Sequence, residues 1–352
     1  MSRILPIPTF GPTALLAAVL AASACTKGPS YGSANAIIAV VDSALMPDLE
    51  PVLTRALERE VHTTRAEPVF EVTFTTVESI GEFRRWKRLV VVESLDEAAL
   101  VPDLVDLPDD GPVAAEVHDE WSRDQTVWVF AAGTPEATVE LVRQRADSLY
   151  RVIHDRYVEE QVARMWASER DSALFRSLVD SLGFGLVLPR VYQPAPGSAP
   201  ADSRVWYNRD PRRVVSLHWL PRPTELSADT VLAIRRAWGA EVFPEDSIVG
   251  SLAGAPDTTA APADTGVGAV AAAAPIQASR TTLAGREAVR LQGVWRSLEG
   301  ASAGVFLTYG VACGDALVLI DGNLFAPDRE KYPYLVQLER IFSTFACERE
   351  AA

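Results

Sequence analysis

The sequence has 352 residues, enough for two ordinary domains, and its 48% hydrophobic and 23% charged residues exclude wholesale disorder, a collagen-like repeat and a multi-spanning membrane protein. Lys and Arg number 33 against 47 Asp and Glu. The resulting net charge of −14 repels phosphate backbones and argues against nucleic acid as a partner.

Residues 1–24 read as a secretory signal: Arg3 gives a short positive end and Ala14 to Ala24 an apolar run too short to span a bilayer. Ala22-Ser23-Ala24 followed by Cys25 resembles the lipobox of bacterial lipoproteins, which implies a diacylglycerol on the Cys25 thiol. Ala22 replaces the usual Leu, and the same triplet suits ordinary signal peptidase, so a plain secreted form is the alternative. Removing the signal takes away only Arg3 among the charges and leaves −15, so acyl chains rather than charge would hold the protein to a membrane. Residues 25–33 are then expected to form a lipidated polar tether. With Cys25 acylated, Cys313 and Cys347 remain as a pair, either bridged or as two buried thiols.

An N-terminal α/β domain is expected over 34–182. Ala36–Val41 predicts a buried strand, and Pro47–Glu60 a helix with apolar residues at helical spacing. Val69–Val77, Leu89–Val92 and Val127–Ala131 predict further strands, and Ser79–Trp86 a helical turn. From Thr134 and Pro135 a helical pattern runs to Gly183, long enough for two helices. A C-terminal domain over 183–352 is predicted with strands at Leu186–Leu188, Val205–Tyr207 and Val214–Trp219 and a helix at Asp229–Trp238. Three more strands follow at Ala288–Leu298, Gly304–Val311 and Ala316–Phe325, then a closing helix at Tyr334–Phe345. Between them, 23 of residues 250–280 are Ala, Gly, Pro, Thr or Ser and none is aromatic, too little apolar surface to offset ordering entropy, so a disordered insertion is expected. The fold class is α+β: two α/β-type halves, the C-terminal one an antiparallel sheet packed by two helices. Its layout resembles small lipoprotein and PsbP-like α/β sandwiches, without implying activity.

No metal or nucleophile template is complete. His62, His118, His154 and His218 stand alone in sequence, and Asp264-Thr265-Gly266 falls in the insertion, without the second Asp that aspartic protease chemistry requires. Eleven carboxylates lie between Glu93 and Asp124 against Arg123 alone; lacking calcium-loop spacing, they read as a solvated acidic loop. Arg84, Arg85, Lys87 and Arg88 around Trp86 offer a contact for anionic headgroups or an acidic partner, with a charged helix end as the plainer reading. The eight Trp fall mostly in strand and helix patterns, where a core role is the default.

Taken in order, these segments resemble an uncharacterised family of bacterial lipoproteins known only as a domain of unknown function. The resemblance rests on Ala36 to Asp42, Glu67-Pro68-Val69-Phe70, Arg88 to Val92, Trp121 and Gln125, Leu186 to Pro189 with Tyr192, Trp206, and Gly293-Val294-Trp295. It continues through Asp321-Gly322, Phe325-Ala326-Pro327, Lys331 and Leu338-Glu339. Where relatives have Gly-Gly-Pro-Phe, this chain has Ala303-Gly304-Val305-Phe306. The resemblance implies a lipid-anchored envelope protein and brings no active site. The expected function is a non-catalytic binding or assembly module of the cell envelope, with a possible envelope protein partner and no cofactor or metal. The alternative is a hydrolase in which Asp119, Glu120 or Asp321 would converge in a cleft.

Overall fold

The computed structural model describes residues 27–108, 111–197, 199–223, 225–253, 275–300 and 302–348. The signal segment, Cys25, Asp264-Thr265-Gly266 and most of the 250–280 insertion lie outside them. The described chain has α+β architecture in two compact units, one of residues up to Arg59 plus Phe70–Tyr150, the other of Glu60–Val69 plus the chain from Arg151 onward.

The first unit begins with β1 (Ala36–Val41), all six residues buried, and α1 (Met46–Leu57). Pro47 and Asp48 in the first turn and Arg55 in the last suit the helix dipole, while Leu49, Leu53, Ala56 and Leu57 recur on one buried face. A hairpin of β2 (Glu60–His62) and β3 (Ala66–Pro68) then leaves this unit for the second. β4 (Glu71–Thr75), a 3-10 turn (Val77–Glu82), β5 (Arg88–Ser94), a one-turn helix α2 (Val101–Leu104), β6 (Val113–His118) and β7 (Thr126–Ala132) complete it. The sheet order is β4-β1-β5-β7-β6, parallel except for β6. Ile38, Val40, Leu89, Val91, Val127 and Val129 alternate onto one face and pack with Ile80, Leu100 and Val101.

The acidic run is therefore not one solvated loop. Glu93 is buried and accepts hydrogen bonds from the backbone N–H groups of Ala99, Leu100 and Val101, so its charge anchors the start of α2. Further on, Val113–His118 pairs with β7 as an edge strand whose outward residues are polar or exposed. Nor is the expected tether free: Arg123 N donates to Gly28 O (2.9 Å), Ser30 N to Arg123 O (2.9 Å), Tyr31 N to Arg85 O (3.0 Å) and Lys87 N to Tyr31 O (3.0 Å).

α3 (Pro135–Trp166) begins in the first unit and belongs to the second from Arg151, so the expected boundary at residue 182 moves back into this helix. The reason is packing: Tyr157 stacks on Tyr332 and Met165 joins the second unit's core. α4 (Ser172–Leu182) is capped by Asp171, which accepts from Leu174 N (2.9 Å), and stops at Gly183, whose φ of 73° is left-handed. After β8 (Phe184–Gly185), the strand expected at Leu186–Leu188 does not form; the side chain of Thr344 accepts from Val187 N (2.8 Å) in place of a ladder.

β9 (Gln193–Pro194), β10 (Ser203–Arg209), β11 (Arg212–Pro221), α5 (Ala228–Val242), β12 (Asp246–Val249), β13 (Gln277–Leu283), β14 (Arg286–Ser297), β15 (Ala303–Cys313), β16 (Ala316–Phe325), α6 (Tyr332–Phe342) and β17 (Ala346–Cys347) follow. The antiparallel sheet runs β12-β14-β15-β16-β11-β10-β9, with β13 also on β14. One face carries Leu307, Ile320 and Leu324 against Leu338, Ile341 and Phe342 of α6; the other carries Phe306, Leu317 and Leu319 against Val231 and Leu232 of α5. β13 begins inside the 250–280 window, and Ile276 N donates to Ser251 O (2.8 Å), which narrows the insertion to the residues between.

Candidate functional site

Two buried ion pairs lie in the second unit. On the α5 face, Arg235 Nε donates to Asp321 Oδ1 (3.1 Å), and Arg235 Nη2 donates to Asp321 Oδ2 (3.3 Å) and Asn323 Oδ1 (2.9 Å). Thr308 Oγ1 supplies a further donor at 2.5 Å. Gly239, one turn beyond Arg235, gives the guanidinium its room: a Cβ there would stand 2.7 Å from Nη1. Elsewhere, Lys331 Nζ donates to Glu67 Oε1 (2.9 Å) and Lys331 N to Glu67 Oε2 (2.8 Å), tying β3 to the start of α6. Asp321 is 1% exposed and fully bonded, so it has no access to a substrate. That removes one of the three carboxylates the hydrolase reading required. Asp119 and Glu120 instead offer their backbone carbonyls to Lys27 Nζ.

Ser203, His218 and Asp202 come together in space, which their sequence positions do not announce. Ser203 Oγ lies 3.1 Å from His218 Nδ1, and Asp202 Oδ1 lies 3.8 Å from the same nitrogen. A nucleophile relay needs hydroxyl and carboxylate on opposite ring nitrogens. Here Ser203 is fully buried and also accepts from Trp238 Nε1 (2.9 Å), while the imidazole stacks on the Trp238 ring at 5.5 Å. Burial holds the His218 pKa below its ordinary value, against the opposing charges of Asp202 and Glu241. The cluster is a structural one.

The remaining His residues do not assemble a metal centre: among the described residues no group of three or more His, Cys, Asp or Glu could hold an ion. His118 is exposed at the end of β6. His62 and His154 line a cleft of about 600 Å3 with Tyr332, Arg290 and Glu339; there His154 Nε2 meets the Tyr332 hydroxyl at 2.5 Å, and Arg290 Nε donates to Glu339 Oε1 (2.9 Å). Its polar groups are largely engaged with one another.

A larger cleft, about 830 Å3, opens on the α5 face at the other end of the sheet. Val205, Tyr207 and Arg209 of β10 and Arg212 and Val214 of β11 form its floor, since alternate strand residues share a face. Val242 and Phe243 at the end of α5, with Pro196, Gly197, Ala199 and Pro200, form its walls. Arg209 lies over the Tyr207 ring at 5.8 Å, and Arg212 acts electrostatically on Asp246 nearby. Two guanidiniums against the one carboxylate of Glu241, beside an apolar wall, leave a net positive seat that suits an anionic group carried on an apolar body. Sequence reasoning missed this cleft; the only signal for it was Arg209-Asp210-Pro211-Arg212, a turn flanked by two Arg.

Cys313 and Cys347 are joined in a disulfide, with Cα atoms 5.8 Å apart. Trp128, Trp206, Trp238 and Trp295 are buried, and the other four Trp are half-buried.

Two family models match, both for domains of unknown function: DUF8532 over residues 30–166 and DUF4837 over residues 246–344. The expected membership of a family known only in those terms thus finds a counterpart in each half of the chain. No curated protein matches. Among solved structures, one from Bacteroides thetaiotaomicron is 8% identical, covering 48% of this chain and 46% of its own, with a TM-score of 0.27. The chain thus spans less than half the length of that structure. The cyanobacterial PsbP of Synechocystis sp. PCC 6803 is 12% identical over 47% of this chain and 86% of its own (TM-score 0.31). LpqN of Mycobacterium tuberculosis, involved in cell envelope biogenesis, is 13% identical over 47% and 83% (TM-score 0.27).

Proposed function

We propose that this chain is a lipid-anchored cell-envelope protein that acts as a non-catalytic binding or assembly module, with the cleft between Arg209, Arg212 and Phe243 as its ligand seat. The disulfide is the observation that carries the reading. Such bridges persist in oxidising compartments, and with Cys313 and Cys347 paired, Cys25 is left as the third thiol behind a signal-like segment. No helix among the described residues is long and apolar enough to cross a membrane, so attachment falls to the lipid. The buried charges of the second unit are engaged within the core, and its Ser, His and Asp meet on one ring nitrogen, which favours binding over hydrolysis.

Cys25→Ser is expected to move the protein from membrane to soluble fractions, and mass spectrometry of the mature wild-type protein should find the acyl mass on Cys25. An unmodified Cys25 would refute the anchor. For the cleft, Arg209→Glu with Arg212→Glu should lose the envelope component that co-purifies with the wild type from detergent; identical co-purification would place the binding seat elsewhere.

A further inference from the structure

The first described residues are bonded to the start of the first unit's sheet along their whole length. Lys27 Nζ donates to the carbonyls of Asp119 and Glu120; Gly28, Ser30 and Tyr31 exchange backbone hydrogen bonds with Arg85, Lys87 and Arg123. Arg85 Nη2 donates to Pro29 O (3.0 Å), and the Tyr31 hydroxyl donates to Glu82 O (2.9 Å). The Tyr31 ring packs against Trp86 at 5.7 Å. Gly32 passes so close to the same indole, at φ 106°, that a Cβ would stand 2.7 Å from it.

Only Thr26 separates this docked segment from Cys25. Two extended residues reach about 7 Å, close to the depth of one headgroup layer. We propose that the edge formed by residues 27–31, 82–87 and 119–124 rests directly on the bilayer surface that holds the acyl chains of Cys25, an inference that rests on the lipid-anchor reading above. The edge suits that contact. Lys27, Arg84, Arg85, Lys87 and Arg123 nearly balance Glu82, Asp119, Glu120 and Asp124, so it is close to neutral on a strongly acidic protein. Tyr31, 46% exposed, places an amphipathic ring there, backed by Phe83, Trp86 and Trp121, which are half-buried against the core of the first unit. Arg85 and Lys87 thus hold the leash, and the exposed Arg84 and Arg85 face the headgroups, whereas Arg88, grouped with them by the sequence, is buried and donates to Ala34 O instead.

The test uses full-length acylated protein in phosphatidylcholine vesicles carrying a headgroup nitroxide. A fluorophore goes on His118→Cys beside the docked segment or on Glu97→Cys past the opposite, C-terminal end of strand β5 in the same sheet, both exposed. Quenching at position 118 should exceed that at 97 several-fold, and inserting twenty Gly and Ser residues after Thr26 should abolish the difference. Equal quenching in acylated protein overturns the proposal, as does a difference that survives the insertion. Protein that lacks the acyl mass and does not float with vesicles refutes the anchor itself, a separate result read by mass spectrometry.

Discussion

Arg235 and Asp321 take opposite charges out of water 86 residues apart in sequence, and the cost of that burial decides what their substitution does. Removing one partner strands the other, so Asp321→Ala should destabilise by about 3 to 5 kcal/mol in urea titrations. The pair Arg235→Met with Asp321→Leu should cost markedly less than the single change, because no charge is then left unpaired. His218 gives a pH signature. Its folded pKa lies below the ordinary 6.5, so below that value the unfolded chain binds more protons. Stability should therefore fall as pH drops through about 6.5 and level off beneath the folded pKa, and His218→Gln should flatten that slope. At this scale the sequence showed an acid inside the apolar run Ala316–Phe325, a legible sign of a buried charge. The identity of its partner was not legible, because strand and helix periodicity fix which face a residue takes and not which distant residue meets it. The positions on which the family resemblance rests make the same point: Glu67, Asp321, Gln125 and Lys331 are core hydrogen-bonding groups, not a converging site.

Helix α6 was legible because Leu335, Leu338, Ile341 and Phe342 share one face, although the helix ends at Phe342 and not at Phe345 as expected, and its packing is where the sequence expectation meets the sheet. Leu338 is fully buried over Gly322, so Leu338→Ala should cost about 2 to 5 kcal/mol. Glu339 is not on a bare solvent face, as its place on the helix suggests; it pairs with Arg290, yet at 42% side-chain exposure Glu339→Ala should still cost about 1 kcal/mol or less. Equal losses in chemical denaturation would show that α6 does not close the core. β15 carries a harder constraint: a Cβ at Gly304 would stand 2.1 Å from Leu324 O and 2.6 Å from Trp295, so Gly304→Ala must push strands apart and should cost at least 1 to 3 kcal/mol. The strands that escaped the sequence reading, β2, β3, β6, β9, β12, β13 and β17, lie at sheet edges or in two-stranded pairs, most of them short, where alternation is weak and pairing with a neighbour supplies the order.

At the scale of the molecule, the disulfide ties the last strand to β15 across 34 residues that include β16 and α6. Cys313→Ala with Cys347→Ala should lower stability by about 3 to 4 kcal/mol by freeing that loop in the unfolded chain, a loss measurable without reductant. The two-unit organisation was legible from the change of strand pattern after Gly183, but the boundary was not, since the helix that crosses it is continuous and only its packing partners change. One last feature sets what else the fold can carry. Ala253 N donates to Ile276 O (3.2 Å) and Ile276 N to Ser251 O, so the two described flanks of this segment are bonded to each other at a single point. That geometry makes a socket: a foreign domain whose own ends lie close together could replace the residues between Ala253 and Pro275, and β12 and β13 would keep their places on β14 while the guest is displayed by an unaltered host.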